Sequence, residues 1–199
     1  MRQKASNKMS KRPRKQILSA GINHLQKDYM RRLRYSVAMS LDGFIGDSQG
    51  GYDWIVTDPD IDFASLYNEF DMALMGRKTF EMAEKGPGAT IPGLKTVVCS
   101  RTLQGRDFPN FTITTDAGGT VTELKAKPGK DIWLFGGASL FRSLLNAHLV
   151  DTVEVSVMPI MLSQGIPLLP AGQPSPRLRL TKSKTLRSGI VTLAYSVDL

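Results

Sequence analysis

The chain has 199 residues, of which 41% are hydrophobic and 22% are charged, the composition of an ordinary globular protein. No apolar run approaches the ~18 residues that a membrane helix needs. A single cysteine, Cys99, excludes an internal disulfide framework, and with only two histidines in the chain it argues against a metal centre. The composition therefore predicts a cytoplasmic protein that binds no metal and no membrane.

The net charge of +8 comes from the start of the chain. Residues 1–34 contain eleven lysines and arginines and one acid, whereas the remainder contains 15 basic and 17 acidic residues. Such a segment can bind nucleic acid, but residues 1–16 contain almost nothing that could pack. We predict a flexible basic extension over 1–32, with nucleic acid an unfavoured partner, and a folded domain over 33–199. An organelle transit peptide and a translation start at Met30 are the alternatives for this segment.

The first half of the domain is predicted to alternate strands with helices. Its predicted elements are a strand over 35–39, a turn-rich loop over 40–46, a short helix ending near residue 70, a strand over 72–75 and a helix over 77–84. Asp58 is predicted to cap the short helix, because the proline that follows it is typical of a first helical position.

The second half continues the alternation and ends in a hairpin. Its predicted elements are strands over 95–99, 111–114, 131–135 and 152–158, helices over 121–127 and 139–148, and hairpin strands over 177–186 and 190–197. Strands that alternate with helices predict an α/β fold with a mainly parallel sheet, to which the hairpin adds antiparallel strands at one edge.

Three predicted strand ends are suited to binding an anion, because ligands of such sheets lie beyond the carboxyl ends of the strands. The candidates are Gly76, Arg77, Lys78 and Thr79 after one strand, Ser100 and Arg101 after the next, and Phe135, Gly136, Gly137, Ala138 and Ser139 at the third. Arg77 and Lys78 oppose the dipole of the helix that they begin, so helix stability does not explain them. Together these ends indicate a polyanion such as a dinucleotide with an extra phosphate. The glycine pair is also consistent with a tight turn that has Ser139 as the helix cap.

Several motifs resemble those of the dihydrofolate reductase-like superfamily. MGRKTFE over 75–81 resembles the start of the helix under the cofactor's phosphates in dihydrofolate reductases. VAMSLDGFI over 37–45 and WIVT over 54–57 are similar to the reductase domain of riboflavin-synthesis deaminase–reductases. LFGGAS over 134–139, LVD over 149–151 and LRSG over 186–189 follow in the family's order. The resemblance covers about residues 33–199 and implies a three-layer α/β sandwich.

The resemblance implies NADPH-dependent hydride transfer to a pyrimidine- or pteridine-like heterocycle, as in 5-amino-6-(5-phosphoribosylamino)uracil reductase. It implies that the glycine pair approaches the pyrophosphate and the nicotinamide, that Ala38 presents its backbone to the nicotinamide amide, and that Arg77 and Thr79 bind phosphate. Ser100 and Arg101 match residues near the adenosine 2′-phosphate. Asp42 and Trp54 fall on the substrate side, and a homodimer is implied as well.

Asp60 is the predicted substrate-side acid, because reducing a C=N bond needs a proton as well as a hydride. The alternative is that Asp60 only complements the dipole of the short helix from its first turn. The chain also departs from the riboflavin reductases, since residues 57–70 contain no lysine or arginine for a ribose phosphate. A dihydrofolate reductase, and a catalytically silent protein that binds NADPH or uses the basic arm on nucleic acid, are alternative functions.

Overall fold

The computed structural model describes residues 30–172 and 176–198. Its strands are β1 (Leu33–Ser40), β2 (Phe44–Gly46), β3 (Phe70–Gly76), β4 (Lys95–Cys99), β5 (Thr112–Thr114), β6 (Asp131–Gly136), β7 (Thr152–Met158), β8 (Ile166–Pro167), β9 (Leu178–Thr185) and β10 (Val191–Val197). Its helices are α1 (Phe63–Asn68), α2 (Arg77–Glu84), α3 (Ala117–Lys125) and α4 (Ala138–Asn146), with short 3-10 turns at Pro87–Ala89 and Gly105–Asp107. The predicted extension over residues 1–29 lies outside the described residues.

Eight strands form one sheet in the order β5-β4-β3-β6-β1-β7-β10-β9, and β2 pairs with β8 beside it. Within the run β5-β4-β3-β6-β1-β7, each strand is parallel to the next. β10 runs antiparallel to β7, and β9 runs antiparallel to β10. The predicted fold class is therefore confirmed: an α/β sheet that is mostly parallel, with an antiparallel hairpin at its C-terminal edge.

The core lies on both faces of this sheet, because successive strand residues point to opposite sides. On β3, Leu74 packs into one cluster, and its neighbour Met75 packs into the other. Phe141 of α4 belongs to the cluster of Leu74, whereas Phe80 of α2 belongs to the cluster of Met75. Helices therefore cover both faces, which gives three layers.

Some predicted boundaries differ from those observed. Helix α3 begins at Ala117, four residues before the predicted start, because the Asp116 side chain caps it by accepting a hydrogen bond from the Gly119 amide (2.8 Å). Helix α4 ends at Asn146, two residues before the predicted end. Strands β2 and β8 were not predicted, because three and two residues are too few to show a periodic pattern.

An ion-pair network lies at the amino ends of the parallel strands. It consists of Arg31, Arg32, Arg34, Glu69, Asp71, Asp131 and Glu154, and we call it the amino-edge network. Arg34 is only 8% exposed and donates two hydrogen bonds to Glu154, at 2.7 and 2.8 Å. Arg31 and Arg32 were predicted to belong to the extension, but both contact the folded domain through this network.

Tyr35 supplies a test of the core. Its ring is fully buried and stacks on Phe141 at 3.8 Å, and its hydroxyl has no hydrogen-bond partner among the described residues. Burial raises the pKa of this hydroxyl, which therefore stays protonated. We expect Tyr35→Phe to raise the free energy of unfolding by about 1 kcal/mol, since an unpaired buried polar group costs at least that much. Urea denaturation measures the change, with the less buried Tyr195→Phe as the control. A loss of stability would show that the hydroxyl is hydrogen-bonded in solution.

Candidate functional site: two glycine junctions and the loops beside them

The three strand ends that the sequence singled out lie side by side in the structure. β3 is the middle strand, with β4 on one side and β6 on the other. Gly76 is in register with Cys99, and Met75 is in register with Gly136. The segments 76–79, 100–101 and 135–139 therefore meet at one edge of the sheet, the edge formed by the carboxyl ends of its parallel strands.

Bare backbone lines the centre of this edge. A Cβ atom placed on Gly137 would lie 2.9 Å from Thr79 Oγ1, and one placed on Gly76 would lie 3.6 Å from the Gly137 nitrogen. Gly136 has a φ of +145°, which side-chain-bearing residues rarely adopt, and its peptide bond to Gly137 is cis. These glycines therefore permit a close approach between the two strand-to-helix junctions. We call this group, with Thr79, the glycine cradle.

Two helices begin at the glycine cradle. The N-cap residues are Gly76 for α2 and Gly137 for α4, and in the described chain no side chain caps either of them. The interpretation of Ser139 as the cap is therefore wrong, and Ser139 is an exposed residue in the first turn of α4. Because the first amides of a helix lack partners within it and lie at the positive end of its dipole, two such ends side by side favour an anion.

Two cationic side chains lie in the first turn of α2. Arg77 is 42% exposed, and its guanidinium donates at 2.8 Å to Glu81, which lies one turn further along α2. Lys78 is exposed on the same turn. Lys78 adds positive charge to a helix end that is already positive, which stabilises a bound anion but not the free helix, whereas the charge of Arg77 is paired with Glu81.

A buried serine side chain stabilises the turn after β4 through hydrogen bonds to its backbone. Ser100 is buried, and its hydroxyl accepts hydrogen bonds from the amides of Thr102 (3.2 Å) and Leu103 (3.0 Å). Arg101, which lies between Ser100 and Thr102 in the sequence, is exposed. Burial raises the pKa of the Cys99 thiol to about 12, so it stays protonated and is no nucleophile. The turn therefore presents one exposed cation at this edge of the sheet, Arg101.

The predicted nicotinamide and substrate residues meet in a small cluster at the ends of β1 and β7. Ala38 and Trp54 both pack against the buried side chains of Met158, Leu186 and Ile190. The indole nitrogen of Trp54 donates to the Gly51 carbonyl at 3.1 Å, which orients the ring. The structure thus brings Trp54 into the same cluster as Ala38, although the two residues lie on different segments of the chain.

Asp42 anchors the loop that follows β1. Its carboxylate accepts hydrogen bonds from the Ser40 hydroxyl (2.7 Å) and from the amides of Leu162 (3.1 Å) and Ser163 (2.7 Å). These bonds, that of Ser40 foremost, hold the pKa of Asp42 below its usual range. The carboxylate thus ties two loops together, and the part of Asp42 in substrate binding stays a prediction.

The prediction that Asp58 is a helix cap is wrong. Helix α1 begins at Phe63, and its cap is Asp62, which accepts a hydrogen bond from the Ser65 amide at 2.9 Å. Asp58 is instead 4% exposed and accepts from the amides of Asp60 (2.7 Å) and Ser188 (2.8 Å). Its pKa is lowered by the Ser188 side chain and by these two amides. Asp58 therefore fastens the loop that carries Trp54 to the turn between β9 and β10.

Asp60 lies before helix α1, outside its first turn. Its carboxylate is 3.2 Å from the guanidinium Nε of Arg187, on the same turn that Asp58 holds. The alternative in which Asp60 complements the helix dipole from the first turn is therefore wrong. Its catalytic role remains a prediction.

Membrane-spanning helices and metal clusters are both absent from the described part of the chain. Within the ranges that the structure covers, no helix is long and apolar enough to cross a membrane. In those same ranges, no group of three or more histidine, cysteine, aspartate or glutamate side chains is placed to hold a metal ion.

Fold and site together define a mixed α/β protein with the dihydrofolate reductase-like architecture and two glycine-containing strand-to-helix junctions side by side at the carboxyl edge of its sheet. The sequence model of the RibD C-terminal domain family matches residues 31–192, and the chain belongs to that family. The uncharacterized protein YyaP of Bacillus subtilis is 35% identical over 177 residues, which cover 83% of this chain and 94% of YyaP.

Solved structures show the same architecture. A protein of Shewanella sp. PV-4, provisionally assigned to riboflavin biosynthesis, superposes with a TM-score of 0.72 at 23% identity, covering 85% of this chain and all of that one. A dihydrofolate reductase of Enterococcus faecalis, complexed with NADP(H), superposes with a TM-score of 0.62 at 15% identity, covering 84% of this chain and 97% of that one. At these identities the likeness concerns the fold.

Proposed function

We propose that the protein is an NADPH-dependent reductase that transfers a hydride to a pyrimidine- or pteridine-like heterocycle. The observation that carries this proposal is the pair of helix N-termini, α2 and α4, that meet at the glycine cradle, with Arg77 in the first turn of α2 and Arg101 after the neighbouring strand β4. Membership of the RibD C-terminal domain family supports it, as does the fold shared with a dihydrofolate reductase complexed with NADP(H).

The residues at this edge of the sheet fit this cofactor. The glycine cradle and the amides of α2 and α4 would hold the pyrophosphate, because bare backbone lets phosphate oxygens reach the helix amides. Arg77 and Thr79 would bind phosphate, and Arg101 the adenosine 2′-phosphate. Ala38 would contact the nicotinamide from β1. When bound, the cofactor supplies the hydride.

The protein's own contribution is alignment and a proton. Trp54 would hold the heterocycle on the substrate side of Ala38, with the loop that Asp42 anchors closing beside it. Asp60 would deliver or relay the proton that accompanies the hydride. Asp58 is less suited to that task, because its carboxylate is buried and held in its charged form by two backbone amides.

Replacing Arg101 by alanine tests the cofactor assignment. We expect Arg101→Ala to weaken NADPH binding by ~1.5–3 kcal/mol, the range for a charged hydrogen bond, and to leave NADH binding nearly unchanged. Titration of cofactor fluorescence measures both affinities. Arg106→Ala, which removes an 83% exposed arginine from the same segment, is the matched control and should change neither. Equal losses for the two cofactors would show that Arg101 does not bind the 2′-phosphate.

The reaction itself is tested by following NADPH oxidation against a panel of acceptors. The panel comprises dihydropteridines, dihydrofolate, 5-amino-6-(5-phosphoribosylamino)uracil and quinones. We expect turnover with at least one heterocycle and none with the quinones. A tight NADPH complex without turnover on any acceptor would favour the catalytically silent alternative.

A further inference from the structure

Three segments surround the cluster of Ala38 and Trp54. They are residues 40–62, 155–170 and 186–190, which we call the substrate-side wall. Backbone hydrogen bonds join them: Leu41 donates to the Ile160 carbonyl (2.8 Å) and Leu168 to the Gly43 carbonyl (2.9 Å). The bond between Ser188 and Asp58 joins the third segment to the first. The wall is thus one continuous surface beside the proposed nicotinamide position.

The charge of this wall is almost all negative. Its three segments contain six aspartates and a single basic residue, Arg187, and the segment 155–170 contains no charged residue. Because Asp42 and Asp58 accept several hydrogen bonds each, both are charged at neutral pH. The guanidinium of Arg187 is already paired with Asp60.

The wall also displays apolar side chains to solvent. Leu41 is 63% exposed and Met161 is 66% exposed, and the bond between Leu41 and Ile160 places these two side chains on neighbouring segments of the wall. Ile55 and Val56, which follow Trp54 directly, are each 37% exposed. Apolar surface beside a site is typical of pockets that bind flat organic ligands.

We propose that the substrate of this site is an uncharged or cationic flat heterocycle that carries no phosphate group. The proposal rests on the proposed reductase function and narrows its substrate class. A phosphate monoester carries about −1.5 to −2 charges at pH 7 and is bound by arginine, lysine or free helix amides. The wall's one basic side chain, Arg187, is 83% exposed and contacts Asp60 through Nε, so it is a solvent-screened surface charge and not a formed phosphate site. The amide end of the nearby helix α1 is occupied by Asp62.

Riboflavin and flavin mononucleotide are suitable probes, because they differ only in a terminal phosphate. Each is titrated into the full-length protein saturated with NADP⁺, and binding is followed by flavin fluorescence. We expect the phosphorylated flavin to bind at least about fivefold more weakly, since its charges meet a wall of the same sign. Equal or tighter binding of the phosphorylated flavin would overturn the proposal. So would binding of neither flavin, because the wall would then not accept a flat heterocycle.

A charge added to the wall sharpens this test. We expect Ile55→Arg to raise the affinity for the phosphorylated flavin relative to riboflavin, and the uncharged Ile55→Gln to leave that ratio unchanged. A ratio that does not respond to Ile55→Arg would contradict the placement of the ligand at this wall. NADPH titration of the unaltered protein separates the two proposals: without NADPH binding the proposed function fails, whereas NADPH binding with a preference for the phosphorylated flavin overturns only the substrate class.

Discussion

Replacement of Arg34 by leucine is expected to lower the free energy of unfolding by about 3 kcal/mol, because removing one partner of a buried ion pair leaves the other uncompensated. Arg34 is 8% exposed, bonds Glu154 through two nitrogens, and lies 4.5 Å from the centre of the Phe70 ring. Glu154, with a side chain only 18% exposed, would keep its charge without its main partner. Urea denaturation at neutral pH measures the change.

Arg32 provides the matched control for this experiment. Its side chain is 55% exposed and also pairs with Asp131, so Arg32→Leu should cost less than about 1 kcal/mol. The double variant Arg34→Leu with Glu154→Leu should recover part of the loss, because an apolar pair can replace a buried ion pair. A loss of stability for Arg34→Leu no larger than that of Arg32→Leu would contradict the importance of the amino-edge network.

For Asp60→Asn we expect a fall in turnover of about 10²-fold or more, with NADPH affinity unchanged, if Asp60 supplies the proton. The amide keeps the size of the carboxyl group but holds no acidic proton. The measurement is the steady-state rate of NADPH oxidation with an acceptor from the panel, together with a cofactor titration of the same variant.

Asp53→Asn is the control for this substitution, because Asp53 is an exposed aspartate of the same loop with no role in the proposed mechanism. It should leave turnover near that of the unaltered enzyme. If Asp60→Asn also keeps near-normal turnover, Asp60 is only the ion-pair partner of Arg187, and proton delivery falls to solvent.

The sequence predicted the features that depend on neighbouring residues. The junctions at Gly76 and at Gly136–Gly137 were found because a glycine between an apolar run and a helical pattern is typical of a tight strand-to-helix turn. Helix α2 and strands β4 and β7 were predicted with their observed bounds, since Gly86 and Pro87 follow α2, β4 is a short apolar run and β7 alternates apolar with polar residues. The antiparallel hairpin was marked by its turn at Gly189, whose φ of +86° suits glycine.

The ties between distant loops could not be predicted. Asp42 binds the amides of Leu162 and Ser163, and Asp58 binds the amide of Ser188. Every residue other than proline has such an amide, so the partners leave no signal in the sequence. A local signal did exist for the helix cap: Asp62 stands three residues before Ser65, whose amide it binds, the usual spacing of an N-cap. The prediction chose Asp58 instead of Asp62 because a proline follows Asp58.

The two ends of the sheet are expected to differ in what they contribute. The amino-edge network lies at the opposite end of the sheet from the glycine cradle. Replacing residues of this network should change the free energy of unfolding without changing cofactor affinity. The carboxyl edge carries uncapped helix ends and exposed apolar side chains, neither of which stabilises the free protein. That arrangement is typical of a binding surface, on which a ligand would pair with the helix amides and cover the apolar side chains.

Calorimetric titration of the full-length protein with NADPH, compared with NADH, tests the central claim most directly. We expect one NADPH to bind per chain, at least about tenfold more tightly than NADH, which corresponds to about 1.4 kcal/mol from contacts with the 2′-phosphate. We also expect Gly137→Ala to weaken both cofactors, because its Cβ would lie 2.9 Å from Thr79 Oγ1 within the cradle. Absence of NADPH binding, or equal affinity for the two cofactors, would contradict the proposed function.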